Sequence, residues 1–284
     1  RPIVSQLWRD QIYVFLAPER LDWVHYRRGF KPVQLNKDTV FCEQMQNGSP
    51  WQNALKLLES HLTDVTSAEL TVILSNHFVR FVTLQPQAEI TTPEEVKSYA
   101  AFRMREIYAE RSESWDLSVS DWNPTTGAIC AAINRDLMDR LQEITKRSEV
   151  KLKAVEPYLA AAYDHWQKQL NSQKSYFVVV ESGRFCSAIV INGVWQSIRN
   201  QRVLSQDTHE LAEELVVALD QEAVLLGNKE ITETVYVFAP EYPQLVLPSN
   251  CGWLMVMLSD AQNPAPSHFP SSPADVAGIK QCLV

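Results

Sequence analysis

One order of sequence patterns occurs twice in this chain of 284 residues, over residues 11–74 and again over 176–239. Each stretch reads as three extended segments, a long helix and a further extended segment. In the first, the apolar run Gln11–Leu16 is followed by the turn Ala17-Pro18-Glu19-Arg20 and by Leu21–Tyr26, which alternates apolar and polar residues as a half-buried strand does. A third extended segment spans about Thr39–Met45, and Asn47-Gly48-Ser49-Pro50 ends it. A helix from Trp51 then aligns Trp51, Leu55, Leu58 and Leu62, and Leu70–Leu74 closes the unit. In the second, Tyr176–Glu181, Arg184–Ile191 and Val194–Arg202 form a meander through the two-residue turns Ser182-Gly183 and Asn192-Gly193, where positive φ is needed. Asp207 or Thr208 caps a helix carrying Leu211, Leu215, Leu219 and Leu226 on one side, Gly227 stops it, and Thr234–Ala239 is the closing strand. No residue identity links the units. The repetition is architectural, and few large folds duplicate such a unit.

Between the units lies additional structure. Phe78–Leu84 follows the polar turn Ser75-Asn76-His77, and Thr92-Pro93-Glu94-Glu95 combines a hydroxyl cap, a proline in the first turn and a glutamate three residues after the cap. A helix to about Glu110 is expected, then a hairpin of Trp115–Trp122 and Ala128–Ile133 around Asn123-Pro124-Thr125-Thr126-Gly127. Asn134 caps a further helix, Leu152–Val155 is a short strand, and Pro157 opens a helix carrying Leu159, Tyr163, Trp166 and Leu170. The expected organisation is α/β with two lobes: residues 1–172 with an inserted helix-hairpin-helix subdomain, residues 173–258, and a proline-rich tail over 259–284 ending in a short helix.

Composition narrows the function classes. With 26 Lys and Arg against 34 Asp and Glu the net charge is −8, which disfavours nucleic acid as a partner. Cysteines at 42, 130, 186, 251 and 282 form no CxxC pair and are odd in number, which fits a reducing compartment. The apolar stretches are too short to span a bilayer. Six histidines without HxH or HExxH spacing give no metal site, and there is no GxSxG, GxxxxGK[ST] or GxGxxG motif.

The duplicated three-strand, helix, strand unit resembles the actin-like ATPase fold, related to the ribonuclease H fold. Within that group, the segment Leu70-Thr-Val-Ile-Leu-Ser-Asn-His-Phe-Val-Arg-Phe-Val-Thr-Leu-Gln-Pro86 is similar to a segment of the PilM proteins of type IV pilus assembly and the GspL proteins of type II secretion. The helix from Pro93, the hairpin after it and the Glu156-Pro157 helix start resemble the same families in order and spacing.

The resemblance also says where a nucleotide would be held, on three turns whose backbone amides approach phosphates and whose carboxylates hold magnesium. Here the first is Leu16-Ala17-Pro18-Glu19-Arg20, without glycine and with a proline that offers no amide proton. The second, Glu181-Ser182-Gly183-Arg184, keeps one acid and one glycine but is only a tight hairpin. The third, Ala239-Pro240-Glu241-Tyr242-Pro243, has two prolines where glycines are expected. Glu181, Ser182, Gly183 and Arg184 are therefore read as a vestigial phosphate loop, against the alternative of an ordinary exposed turn, and no cofactor or catalytic residue is assigned.

The resemblance then implies a non-catalytic actin-like scaffold of a bacterial pilus or secretion machine, cytoplasmic and peripheral to the inner membrane. Its expected partners are an assembly-platform protein of the PilN or GspL/GspM kind, or the assembly ATPase. The competing reading is an ATP-dependent enzyme of the same fold, a sugar kinase or phosphatase, for which Glu19, Asp22 and Glu181 are the local acids. A structural adaptor outside pilus systems is the third. His77 is expected to stabilise its turn with Ser75 and Asn76, and Arg80 to make a structural ion pair.

Overall fold

A computed structural model describes residues 9–27, 33–43, 48–63, 65, 67–171, 173–204, 207–227 and 231–259. The first unit contains β1 (Asp10–Ala17), β2 (Arg20–Arg27), β3 (Val33–Phe41), α1 (Gln52–Leu62) and β4 (Ala68–Leu74). The insertion contains β5 (Val79–Leu84), α2 (Pro93–Tyr108), β6 (Trp115–Val119) and β7 (Ala128–Asn134). The chain returns through α3 (Arg135–Arg147), β8 (Lys151–Pro157) and α4 (Tyr158–Trp166). The second unit comprises β9 (Lys174–Glu181), β10 (Arg184–Ile191), β11 (Val194–Arg202), α5 (Thr208–Leu225), β12 (Glu233–Phe238) and β13 (Trp253–Met257).

The two main sheets have the same strand order, β3-β2-β1-β4-β8 and β11-β10-β9-β12-β13. In each, the first three strands run antiparallel, and the fourth pairs parallel to the first after its crossover helix. The duplication read from the sequence is thus a duplication of topology. Central strands are buried along their whole length, as Ala68–Leu74 and Ser175–Glu181 show, because helices or the other lobe cover both faces.

Three expectations need correction. The third extended segment, expected at about Thr39–Met45, is the strand Val33–Phe41; apolar and polar residues alike are exposed along it, so it carries no burial signal, and pairing with β2 defines it. The helix from Pro157 stops as an α-helix at Trp166 and continues as a 3-10 turn over Gln167–Gln169. The inserted hairpin gains β5 as a third strand, giving the order β5-β7-β6. The expected proline-rich tail lies, beyond Ser259, outside the described residues.

The cap readings hold. Thr92 and Glu95 form a reciprocal capping box, Asn134 accepts from Asp136 N, and Asp207 accepts from His209 N and Glu210 N. Gly227 follows α5 with φ +71°.

One apolar core runs through the first lobe and into the second, where Phe177, Val179, Cys186 and Ala188 belong to it. Helix α4 supplies the junction. Tyr158 stacks obliquely between Phe15 of the first lobe and Phe238 of the second, with centroids 4.8 and 6.0 Å away, and Tyr163 packs 4.6 Å from Trp195. The rest of the second lobe and the insertion have cores of their own.

Candidate functional site

Four turns meet at one end of the junction: Pro18-Glu19 between β1 and β2, Ser75-Asn76-His77 after β4, Ser182-Gly183 between β9 and β10, and Pro240–Pro243 after β12. They border an open cavity of about 720 Å³ lined by Ala17, Pro18, Glu19, Arg20, His77, Glu181, Ser182, Gly183, Arg202, Pro240, Glu241 and Pro243, with Phe15, Phe41, Val203 and Leu204 as apolar walls. The three turns singled out by sequence do come together here.

What they do there is bind one another. Glu181, buried at the end of β9, accepts from Ser75 Oγ and from the Asn76 backbone amide at 3.0 Å. His77 Nε2 lies 2.9 Å from the carbonyl of Ser182. Asn200 on β11 donates from Nδ2 to the carbonyls of Asn76 and Val79 at 2.8 and 3.0 Å, while its Oδ1 accepts from Arg184 at 2.6 Å. Glu241 accepts from the Ser182 amide at 2.8 Å and from Arg20 Nη1 at 3.2 Å. Arg20 Nε also donates to Asp22 at 2.6 Å. The first lobe is therefore joined to the second at its turns by neutral and charge-assisted hydrogen bonds.

Burial sets the electrostatics. The imidazole of His77 is pushed down to about 4, first by loss of water and then by the Arg184 charge, against the opposing effect of its bond to Ser182. At neutral pH the ring is uncharged, and the Nε2 tautomer that donates to the carbonyl fits the geometry. Tyr158 is raised well above the usual phenol value by burial, with Glu181, Glu241 and Asp22 adding to the effect.

The residues that sequence offered for chemistry are thus accounted for. Ser182 and Gly183 form a two-residue turn, Gly183 at φ +71°, too short to wrap a phosphate chain. Glu181 and Arg184 face the junction and are engaged by protein groups. Asp22 is held by Arg20, and Glu19 is exposed in the cavity. Among the described residues no three metal-ligating side chains cluster. The expectation for Arg80 is corrected: among the described residues it makes no salt bridge, and its guanidinium donates to the carbonyls of His77 and Val79. His77 does stabilise its turn, its amide donating to Ser75 Oγ, but its ring works across the junction.

Sequence reasoning missed Asn200 and the bridging role of Glu241. Asn200 sits in the polar run Ser197-Ile198-Arg199-Asn200-Gln201-Arg202, where nothing distinguishes it from a solvated strand residue. Glu241 did carry a signal, an acid between prolines directly after a buried strand.

Identical strand orders in two lobes, each with its crossover helix and both facing a cleft at their turns, select one architecture. The fold is that of the actin-like ATPases. Solved structures agree. A chain of the PilM–PilN type IV pilus biogenesis complex superposes with TM-score 0.66 at 13% identity, covering 95% of this chain and 97% of that one. The cytoplasmic domain of EpsL, an inner membrane component of the type II secretion system of Vibrio cholerae, superposes with TM-score 0.56 at 11% identity over 88% of this chain and 90% of the other. A Bacteroides thetaiotaomicron protein of unknown function with an actin-like ATPase fold gives 0.53 at 11% identity, covering 84% of each chain. No protein-family model and no curated protein matches the sequence. The corner where the four turns meet is occupied by the protein's own side chains, and no helix of the described residues is long and apolar enough to cross a membrane.

Proposed function

We propose that this protein is a non-catalytic actin-like scaffold of a bacterial type IV pilus or type II secretion-like assembly machine, working in the cytoplasm at the inner membrane. Its partners are an assembly-platform subunit of the PilN or GspL/GspM kind, or the assembly ATPase. The observation that carries this is that Glu181 and Glu241, at the cleft's corner, are each engaged by the protein's own donors across the two lobes. A nucleotide brings several negative charges. The cavity already holds Glu19, Glu181 and Glu241 against Arg20 and Arg202, with His77 neutral, so polyphosphate would enter a site of unfavourable charge without glycine-rich amides to receive it. The similarity in fold to a PilM–PilN chain and to EpsL supports the choice of machinery.

Two measurements test the reading. Calorimetric titration with magnesium ATP is expected to show no binding in the micromolar range, and tagged protein is expected to co-purify with a platform subunit encoded beside it. Micromolar nucleotide affinity, or ATP turnover lost in Glu181→Ala, would return the protein to the enzymes of this fold.

A further inference from the structure

The two units match strand for strand, so β13 is the counterpart of β8, but the two sheets are not equally covered. In the first, β4 is buried along its whole length, and the chain passes from Pro157 at the end of β8 straight into α4, which packs over the junction. In the second, burial of β12 alternates, with Thr234, Tyr236 and Phe238 only partly buried. Val235 and Val237 lie under α5 with Met255 and Met257. The parallel register sets Thr234 beside Leu254 and Tyr236 beside Val256 on the opposite face. Helix α4 reaches that face at Phe238, whose ring centroid lies 5.7 Å from that of Trp166. Farther out, Leu254 and Val256 remain 58% and 37% exposed, an apolar ledge at the sheet's edge. Leu258, next on the same face, is buried in the core that crosses the lobes, and its amide donates to the Val237 carbonyl at 2.8 Å. The chain therefore leaves β13 beside the ledge.

We propose that residues 274–284 are the second unit's counterpart of α4, a helix that docks on the ledge of Thr234, Tyr236, Leu254 and Val256. Val276, Ile279 and Leu283 recur at spacings of three and four, which gives a helix one apolar stripe, and Pro273 precedes the segment as Pro157 precedes α4. A helix over 274–284 is about 16 Å long, and a strand of five residues such as β13 is about 17 Å, so the stripe matches the ledge in length. The connector over 260–273 reaches roughly 45 Å when extended, which does not restrict the docking. It also holds the tail near its own ledge at an effective concentration on the order of millimolar, which favours that ledge over a second copy's in dilute protein. The docked tail then covers an apolar surface, and a partner that uses this face must first displace it. This goes beyond the scaffold reading and does not depend on it.

The test is hydrogen–deuterium exchange of the full chain, read by mass spectrometry. Amides within 274–284 are expected to exchange at least about tenfold slower than in a free peptide of the same sequence. Leu254→Asp, at an exposed position, should remove that protection. Ile279→Asp should remove it too and also speed exchange over 253–257. Because Ile279→Asp alters only the tail, it answers the question even where Leu254→Asp fails to fold. A native tail that exchanges as the free peptide does, or protection that survives both substitutions, overturns the proposal. Protection that disappears on dilution of the native protein places the tail on a second copy and overturns it as well. None of these outcomes touches nucleotide binding, so the scaffold reading stands or falls separately.

Discussion

The carboxylate of Glu181, at the end of a buried strand in the second lobe, accepts the backbone amide of Asn76 in the first at 3.0 Å and the hydroxyl of Ser75 beside it. Only 3% of Glu181 is exposed. A buried carboxylate is retained at a desolvation cost that its donors must offset, and removing it strands those donors out of water. Glu181→Ala is expected to lower unfolding free energy by about 2–4 kcal/mol, and Glu181→Gln, which keeps one acceptor oxygen, by about half as much. Urea midpoints decide it; a loss under about 0.5 kcal/mol would mean that this bridge does not hold the lobes.

His77 gives the junction a pH dependence whose sign follows from its depressed value. The folded ring protonates near 4 and the unfolded one near 6.5. Between those values the unfolded chain binds a proton that the folded chain refuses, so stability falls as pH drops through this window and is flat in this respect above and below it. The loss is on the order of 2 kcal/mol, reduced from the full shift because the ring is only partly buried. Carboxylates titrate over the same range, so the measurement is a difference: native protein should lose that much more than His77→Gln between pH 7 and pH 4. Equal losses would place the ring in water.

The topology was legible because it is written in periodicity and turn chemistry. Asn192-Gly193, the Thr92 capping box and the Leu211, Leu215, Leu219 stripe each report local physics that the fold preserves. Strand β3 was misplaced because its nine residues, Val33–Phe41, are almost all exposed and define themselves only by pairing with β2. The three degenerate turns were legible as losses of glycine. Their mutual bonding was not, since the partners of Glu181 and Glu241 lie 106 and 221 residues away in the chain. Such contacts exist only once both lobes have folded.

Asn200 is the clearest case of a residue visible only in three dimensions, and its removal should be costly. Its amide bonds two carbonyls of the first lobe and its oxygen takes the Arg184 guanidinium, so Asn200→Ala leaves two acceptors and a charged donor without these partners. About 2 kcal/mol of destabilisation is expected. Half-buried Gln201→Ala is a poor control because it shares the strand; Gln142→Ala, exposed on α3, should change stability by less than about 0.5 kcal/mol. A comparable loss at both positions would show that the Asn200 effect is nonspecific.

Whether the insertion is a separate cooperative unit can be asked through Gly127. This residue closes the turn before β7 at φ +74°, its amide donating to the Asn123 carbonyl at 2.7 Å. A Cβ built there would lie 2.1 Å from the carbonyl oxygen of Leu84, a backbone atom that no rotamer change can move. Gly127→Ala therefore carries a steric clash on top of the roughly 1 kcal/mol of left-handed strain, and about 3 kcal/mol in all is expected. The apolar cluster of Val82, Leu84, Ala100, Met104 and Cys130 is separate from the core that crosses the lobes, so the damage should stay local. Amide exchange at Val82 and Cys130 is expected to speed by about a hundredfold, while Val178 and Val235 in the second lobe keep their protection. Equal acceleration everywhere would mean that the insertion and the lobes unfold together, and unchanged exchange at Cys130 would mean that β5 and the turn simply move apart to admit the methyl group.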